Sequence, residues 1–296
     1  MRATGQEPVA VLGIGAMGHA MATSMLRAGI PTIVWNRRPA AARDLAGLGA
    51  DVAETAADAA RRAAVVVTMV TDTDAVISIA RDQGMLAALA PGAIWAQMST
   101  IGVAGIERVA AMVQAERPDV TFLDAPVSGS KDPAEHGQLT IFASGPEQGR
   151  PRVAALFDAL GQRTIWVGEV GAGSRLKLVN NTLVAFAAEA VANAAALARR
   201  LGLQTETVIQ ALADSPLVSP WQAAKLQRIA TGEFSAQFAL SLALKDVRLA
   251  LQAADDDRLA VLACLAEEWQ QAVDEGLGDQ DLTVVARALE QQGGTP

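Results

Sequence analysis

Val9-Ala10-Val11-Leu12-Gly13-Ile14-Gly15-Ala16-Met17-Gly18 is the stretch that decides the fold. Its apolar opening reads as a strand, and three glycines at G-x-G-x-x-G spacing then open a helix that the pattern carries to about Ala28. In such a turn the first glycine makes the tight bend. The second lets backbone approach a pyrophosphate, and the third lets helix pack on strand. A helix N-terminus adds amide donors and a positive dipole end, so Gly13, Gly15, Ala16, Met17 and Gly18 are the expected nucleotide-binding residues. The string alone is weak evidence; its strand–turn–helix context makes it specific.

Outward from this turn, the next strand candidate, Thr32 to Trp35, decides which nucleotide. An NAD site normally ends that strand with Asp or Glu, which holds the ribose 2′-hydroxyl. Here Asn36-Arg37-Arg38 follows, with no carboxylate. Two guanidiniums suit a 2′-phosphate, so NADP(H) is expected over NAD(H), with Asn36, Arg37 and Arg38 at the cofactor. The alternative, that both arginines are solvated loop charges, stays open. Pro8 to Leu12, Val65 to Val70, Ala93 to Met98 and Val120 to Asp124 also read as strands, with Thr140 to Ala143 and Thr164 to Val167 as two short ones. Alanine-rich helical stretches between them predict a parallel sheet with helices on both faces. The turns Val70-Thr71-Asp72 and Ser99-Thr100-Ile101 would line the cofactor's path, which makes Val70, Thr71 and Thr100 candidates, although such residues are common in any loop.

After Val167 the pattern changes. From Ser174 to Gln292 only helical periods are visible, broken at Gly202, Gly232 and Gly276-Leu277-Gly278. An α/β domain over 1–168 followed by an all-α C-terminal domain over 169–296 is expected. The charge of −8 argues against nucleic acid as a partner. Cys264 is the only cysteine, which excludes an internal disulfide and suits a reducing compartment. His19 and His136 are too few and too dispersed for a metal site, and no metal is expected. Met1 to Glu7 has no apolar signal region. Leu178 to Ala198 approaches membrane-span length, but Asn180, Asn181, Glu189 and Asn193 interrupt it, so a buried core helix is the expectation and no membrane association. The cytoplasm is the expected location.

Two further stretches carry chemistry. Asp124-Ala125-Pro126-Val127-Ser128-Gly129-Ser130 ends a strand in a turn whose hydroxyls and backbone donors suit a carboxylate. Lys177 opens an apolar helical segment, and Asn181, four residues on, shares its face. An apolar-flanked lysine with a polar partner can serve as proton donor and acceptor; a lysine snorkelling from an ordinary amphipathic helix is the alternative.

Taken together, Gly13 to Gly18, Asp124 to Ser130 and Gly171-x-Gly173-x-x-x-Lys177-x-x-x-Asn181 resemble the β-hydroxyacid dehydrogenase family along essentially the whole chain, continuing through Phe238 to Lys245-Asp246-Val247-Arg248-Leu249-Ala250. The resemblance implies a Rossmann domain plus a helical domain. It implies Lys177 as catalytic lysine, Asn181 as substrate-holding asparagine, and Ser128, Gly129 and Ser130 as the carboxylate turn. It implies Lys245 near the cofactor, against the alternative of a surface charge paired with Asp246. It also implies a small carboxylate-bearing aldehyde or hydroxy acid as substrate and a homo-oligomer, dimer or tetramer. Asn36-Arg37 and Lys131 resemble the NADPH-dependent glyoxylate/succinic semialdehyde reductase branch, while Ser215 to Trp221 and Ser235 to Ser241 depart from it. Imine reductases share the architecture but typically lack the lysine, and a non-catalytic NADP-binding scaffold would be expected to lose the lysine or the asparagine. 6-Phosphogluconate dehydrogenase shares the Lys-x-x-x-Asn pair on a much larger helical domain.

Overall fold

The computed structural model describes residues 7–212, 215–255 and 258–291. Met1 to Gln6, nearly all of the opening segment read above, and Gln292 lie outside them. The chain divides into two compact units, the first running to Lys177 and the second starting at Leu178.

In the first unit β1 (Val9–Leu12), β2 (Thr32–Trp35), β3 (Asp51–Val52), β4 (Val65–Thr68), β5 (Ile94–Gln97) and β6 (Thr121–Asp124) form a six-stranded sheet in the order β3-β2-β1-β4-β5-β6. Every pair is parallel. This is the Rossmann order, with its switch point between β1 and β4. Alternation along the strands feeds two cores. Val9, Val11, Val34, Val65 and Val67 pack into one, and Ala10, Leu12, Ile33, Trp35 and Val66 into the other. A sheet covered on both faces explains why these strands read as unbroken apolar runs.

Three sequence expectations are corrected. First, β4 stops at Thr68 rather than Val70, because the Val70 N–H leaves the ladder and donates to Ser99 Oγ at 2.8 Å. Second, β3 was not expected: two exposed residues give no apolar run to read. Third, the late strands do not extend the parallel sheet. β7 (Val127–Ser128), β8 (Leu139–Ala143) and β9 (Gly161–Trp166) form a separate three-stranded sheet, β7 antiparallel and β9 parallel to β8. Asp124, Val127 and Ser128 pair in one antiparallel register with Ser144, Ile141 and Thr140, so the chain runs straight on from β6 into β7 and reverses only between Ser128 and Leu139.

The second unit is helical; among its described residues the only β pairing is the isolated Ala239–Asp281 bridge. Its core gathers Ala185, Ala188 and Ala192 with Leu244, Val247, Leu265 and Trp269. The long helix Ala172–Arg200 begins in the first unit and continues through the second. By length and composition alone it could cross a membrane. One face packs into the helical core, and Glu189 on it accepts a 2.7 Å hydrogen bond from Trp269 Nε1. The buried core helix expected here is buried on that face alone; its opposite face leaves Val179, Leu183 and Leu197 exposed.

Candidate active site

The register of the parallel sheet sets the site. Trp35, Leu12, Thr68, Gln97 and Asp124 are consecutive cross-strand partners at the carboxyl ends of five strands. The segments that follow them therefore leave from one edge, the edge where open α/β sheets hold ligands.

At that edge the glycines do different work. Gly13 has φ +103°, and a Cβ there would lie 2.3 Å from the Met69 carbonyl oxygen. A Cβ at Gly18 would lie 1.9 Å from the Gly13 carbonyl oxygen, so helix and turn close only on glycine. At Gly15 a Cβ would meet nothing within 4 Å. That opening lies over the N-terminus of the Ala16–Arg27 helix, whose first turn, including Ala16 and Met17, has no capping side chain. Bare backbone, free space and an uncapped helix start fit a pyrophosphate.

Asn36 is tied to this turn. Its Oδ1 accepts the Ile14 N–H at 3.0 Å, and its Nδ2 donates to the Arg38 carbonyl at 3.0 Å. Asn36 thus joins the glycine turn to the loop that presents Arg37 and Arg38, both exposed. On the other flank, Ser99 is buried and bracketed by Gln97, which accepts its N–H at 2.7 Å and donates to its carbonyl at 2.9 Å. Ser99 in turn fixes the Val70 N–H, and Thr71 donates to Asp72, which caps the following helix at Ala75 N. Thr100, next in the same loop, is half-buried. Gln97 escaped the sequence reading, which named Ser99 only as part of a turn lining the cofactor's path; a buried amide ending a strand of apolar residues was the available signal, since such a group must find partners.

At the end of β6 the fully buried Asp124 carboxylate accepts from Ser174 Oγ and Ser174 N at 2.8 Å each, from Gly171 N at 3.1 Å and from Ser144 Oγ at 3.2 Å. Burial pushes its carboxyl above the ordinary value, against the hydrogen bonds from Ser174, Ser144 and Gly171. Four residues past Asp124, half-buried Ser128 pairs with Thr140 as part of β7 rather than of a free turn. Gly129 follows at φ +129°, and Ser130 heads the short Lys131–Glu135 helix. Three residues past Ser174, Lys177 is buried at 8% exposure, which does not suit a snorkelling lysine.

In the second unit, Asn181 Nδ2 donates to Asp246 Oδ2 at 2.5 Å, and Asn180 donates to Asn181 Oδ1 at 2.9 Å. Both ends of the Asn181 amide are thus held in place by partners. Asp246 also pairs with Lys245 Nζ at 2.8 Å, the ion pair that the plainer reading of Lys245 anticipates. The sequence reading named Asp246 only as that pair's anion and missed its hold on Asn181. Among the described residues no group of His, Cys, Asp and Glu could hold a metal ion.

Comparisons with known proteins identify the family. The family described as "NAD binding domain of 6-phosphogluconate dehydrogenase" matches residues 8–168. That described as "NAD-binding of NADP-dependent 3-hydroxyisobutyrate dehydrogenase" matches residues 171–289. Glyoxylate/succinic semialdehyde reductase 1 of Arabidopsis thaliana is 31% identical over 95% of this chain and 98% of its own. The crystal structure of 3-hydroxyisobutyrate dehydrogenase from Salmonella typhimurium superposes with a TM-score of 0.85 at 27% identity, covering 96% of this chain and 100% of that one. An imine reductase from Myxococcus stipitatus in complex with NADP+ shares the fold at a TM-score of 0.62 and 23% identity, over 95% of this chain and 99% of its own. The chain belongs to the β-hydroxyacid dehydrogenase family of nicotinamide-dependent oxidoreductases.

Proposed function

We propose that the protein is an NADP(H)-dependent reductase of short carboxylate-bearing aldehydes or keto acids, with glyoxylate, succinic semialdehyde and methylmalonate semialdehyde as leading substrates. The observation that carries this reading is the buried Lys177, three residues beyond a serine bonded to the Asp124 carboxylate, on the strand end that leads to Ser128-Gly129. The Arabidopsis relative's name supports the first two substrates. Exposed Arg37 and Arg38 after β2, with no carboxylate there, support the 2′-phosphate.

A bound reduced nicotinamide supplies hydride to the carbonyl carbon. Lys177, as ammonium, faces the oxygen where negative charge develops and donates the proton that completes the alcohol. The Ser128 hydroxyl and the Gly129 backbone N–H hold the substrate carboxylate, with Ser130 beside them, and the Asn181 amide orients the reacting oxygen. The lone cysteine supports work in a reducing compartment such as the cytoplasm. The exposed apolar face of the long helix supports a homodimer or tetramer.

The test is a coupled assay of glyoxylate, succinic semialdehyde, methylmalonate semialdehyde and tartronate semialdehyde, run with NADPH and with NADH. Turnover of at least one acid, faster with NADPH, is expected. Turnover of cyclic imines but of none of the acids would replace this reading with the imine one.

A further inference from the structure

Asp124 joins the two segments that carry the proposed roles, the strand end leading to Ser128-Gly129 and the start of the helix bearing Lys177. Through its backbone it exchanges two hydrogen bonds with Ser144, Asp124 N to Ser144 O at 3.0 Å and Ser144 N to Asp124 O at 2.7 Å, which lock the end of β6 to the end of β8. Through its side chain it takes the Gly171 and Ser174 amides and the Ser174 hydroxyl, all at the start of the long helix. Ser144 Oγ closes the cluster by accepting from Gly173 N at 3.0 Å. Gly173 has no room for anything larger: a Cβ there would lie 2.2 Å from the Phe142 carbonyl oxygen and 2.9 Å from that of Asp124. The helix start is therefore pressed onto the strand ends and held by two acceptors, the Asp124 carboxylate, which takes three of its donors, and Ser144 Oγ, which takes one.

We propose that Asp124 is a positioning residue that sets Lys177 relative to the Ser128-Gly129 turn. Ser128 lies four residues after the carboxylate along one arm, and Lys177 lies three residues beyond Ser174 along the other. A helix start that shifts or rotates moves the amine while leaving the turn where it is. Displacements of about 1 Å at reacting groups can cost on the order of 100-fold in rate. All four partners of the carboxylate are donors, so the role calls for an acceptor of this shape. Neither proton transfer nor contact with substrate is required of it.

The inference rests on the proposed roles of Lys177 and Ser128-Gly129, and its test separates the two. Asp124→Asn preserves one oxygen for the two amides, and the Ser174 hydroxyl can turn to accept from the new amide nitrogen. This variant is expected to keep kcat within about threefold of wild type. Asp124→Ala is expected to lose kcat on the order of 100-fold with the NADPH dissociation constant unchanged. Should Asp124→Ala fail to fold, Gly173→Ala displaces the same helix start by crowding and is expected to show the same split. Amide hydrogen exchange of Gly171 to Lys177, measured without substrate, should be fast in Asp124→Ala and slow in Asp124→Asn. A folded Asp124→Ala or Gly173→Ala with wild-type kcat overturns the proposal. So does an Asp124→Asn as impaired as Asp124→Ala with exchange protection intact, since charge rather than position would then matter. If wild type reduces none of the aldehyde acids while the exchange pattern holds, the functional reading has failed and the joint at Asp124 stands.

Discussion

At Lys177 the proposed chemistry rests on a single amine, and its removal should be read in rate rather than in cofactor affinity. General acid catalysis contributes roughly 10²- to 10⁴-fold, so Lys177→Ala is expected to lose turnover by that order while a fluorescence titration still shows NADPH binding. Wild-type turnover in this variant would return Lys177 to a structural role. Arg37 and Arg38 are exposed, which is how residues awaiting a phosphate and residues merely solvated both look. Charge-assisted hydrogen bonds contribute about 1.5–3 kcal/mol, so replacing both by serine should raise the KM for NADPH roughly 10- to 100-fold and leave that for NADH near its starting value. Equal effects on the two cofactors would make them plain loop charges. Lys177 and Asn181 are legible from sequence because a spacing of four on a helix is a local fact. The partner of Asn181 is not, because Asp246 lies 65 residues away and only folding brings it there.

Among the elements, the join before the Leu240–Ala254 helix depends on a buried ion pair. Lys225 Nζ, on the Pro220–Thr231 helix, lies 2.9 and 3.0 Å from the two Asp281 oxygens and 3.0 Å from Gln237 Oε1. Asp281 also accepts the Gln237 and Phe238 amides, so one carboxylate pins the segment that leads into the helix bearing Lys245 and Asp246. Burial pushes the Asp281 carboxyl up, but Lys225 and the hydrogen bonds from Lys225, Thr283 and Phe238 outweigh it and hold the group below its ordinary value. A depressed carboxylate contributes stability above its unfolded value, about pH 3.9, and loses that contribution as pH falls through the folded value. Lys225→Met should cost about 3–5 kcal/mol near neutrality, because it leaves a buried carboxylate without its cation. The stabilisation lost as pH falls should then shrink, since burial is opposed only by the hydrogen bonds from Thr283 and Phe238 once the cation is gone. Urea unfolding at several pH values reads both effects, and a loss below 1 kcal/mol would mean that the pair is not holding the segment. Elements were legible wherever a face is buried. The strands β1, β2, β4, β5 and β6 announce themselves as apolar runs, whereas exposed β3 and the two-residue β7, which runs on from β6 into a second sheet, leave no periodic mark. The change from strands to helices after Trp166 was legible because strand runs simply stop.

For the molecule as a whole, the long helix carries more apolar surface than the chain itself covers. Val179, Leu183, Phe186 and Leu197 fall at spacings of four, three and eleven along one face, with Leu183 70% exposed. Steps of three and four, and of eleven as seven plus four, are the heptad spacing of a seam that packs against another helix. The sequence composition made this segment look like a buried core helix, and half of that expectation failed because the apolar residues encircle it while the helical core takes only one side. A second copy of the chain offers the same face to itself, so a twofold arrangement would cover both at once. Burying a leucine contributes about 1.5–3 kcal/mol, and losing two such side chains per protomer in favour of charge should weaken association by at least about 10³-fold. Leu183→Glu combined with Leu197→Glu is therefore expected to sediment as a folded monomer at micromolar concentration, where wild type sediments as a dimer or larger. Neither residue lies on the sheet edge that holds the glycine turn, so NADPH binding by the double variant reports whether the fold survives. A wild-type chain that is monomeric at the same concentration would show that the exposed face has another use.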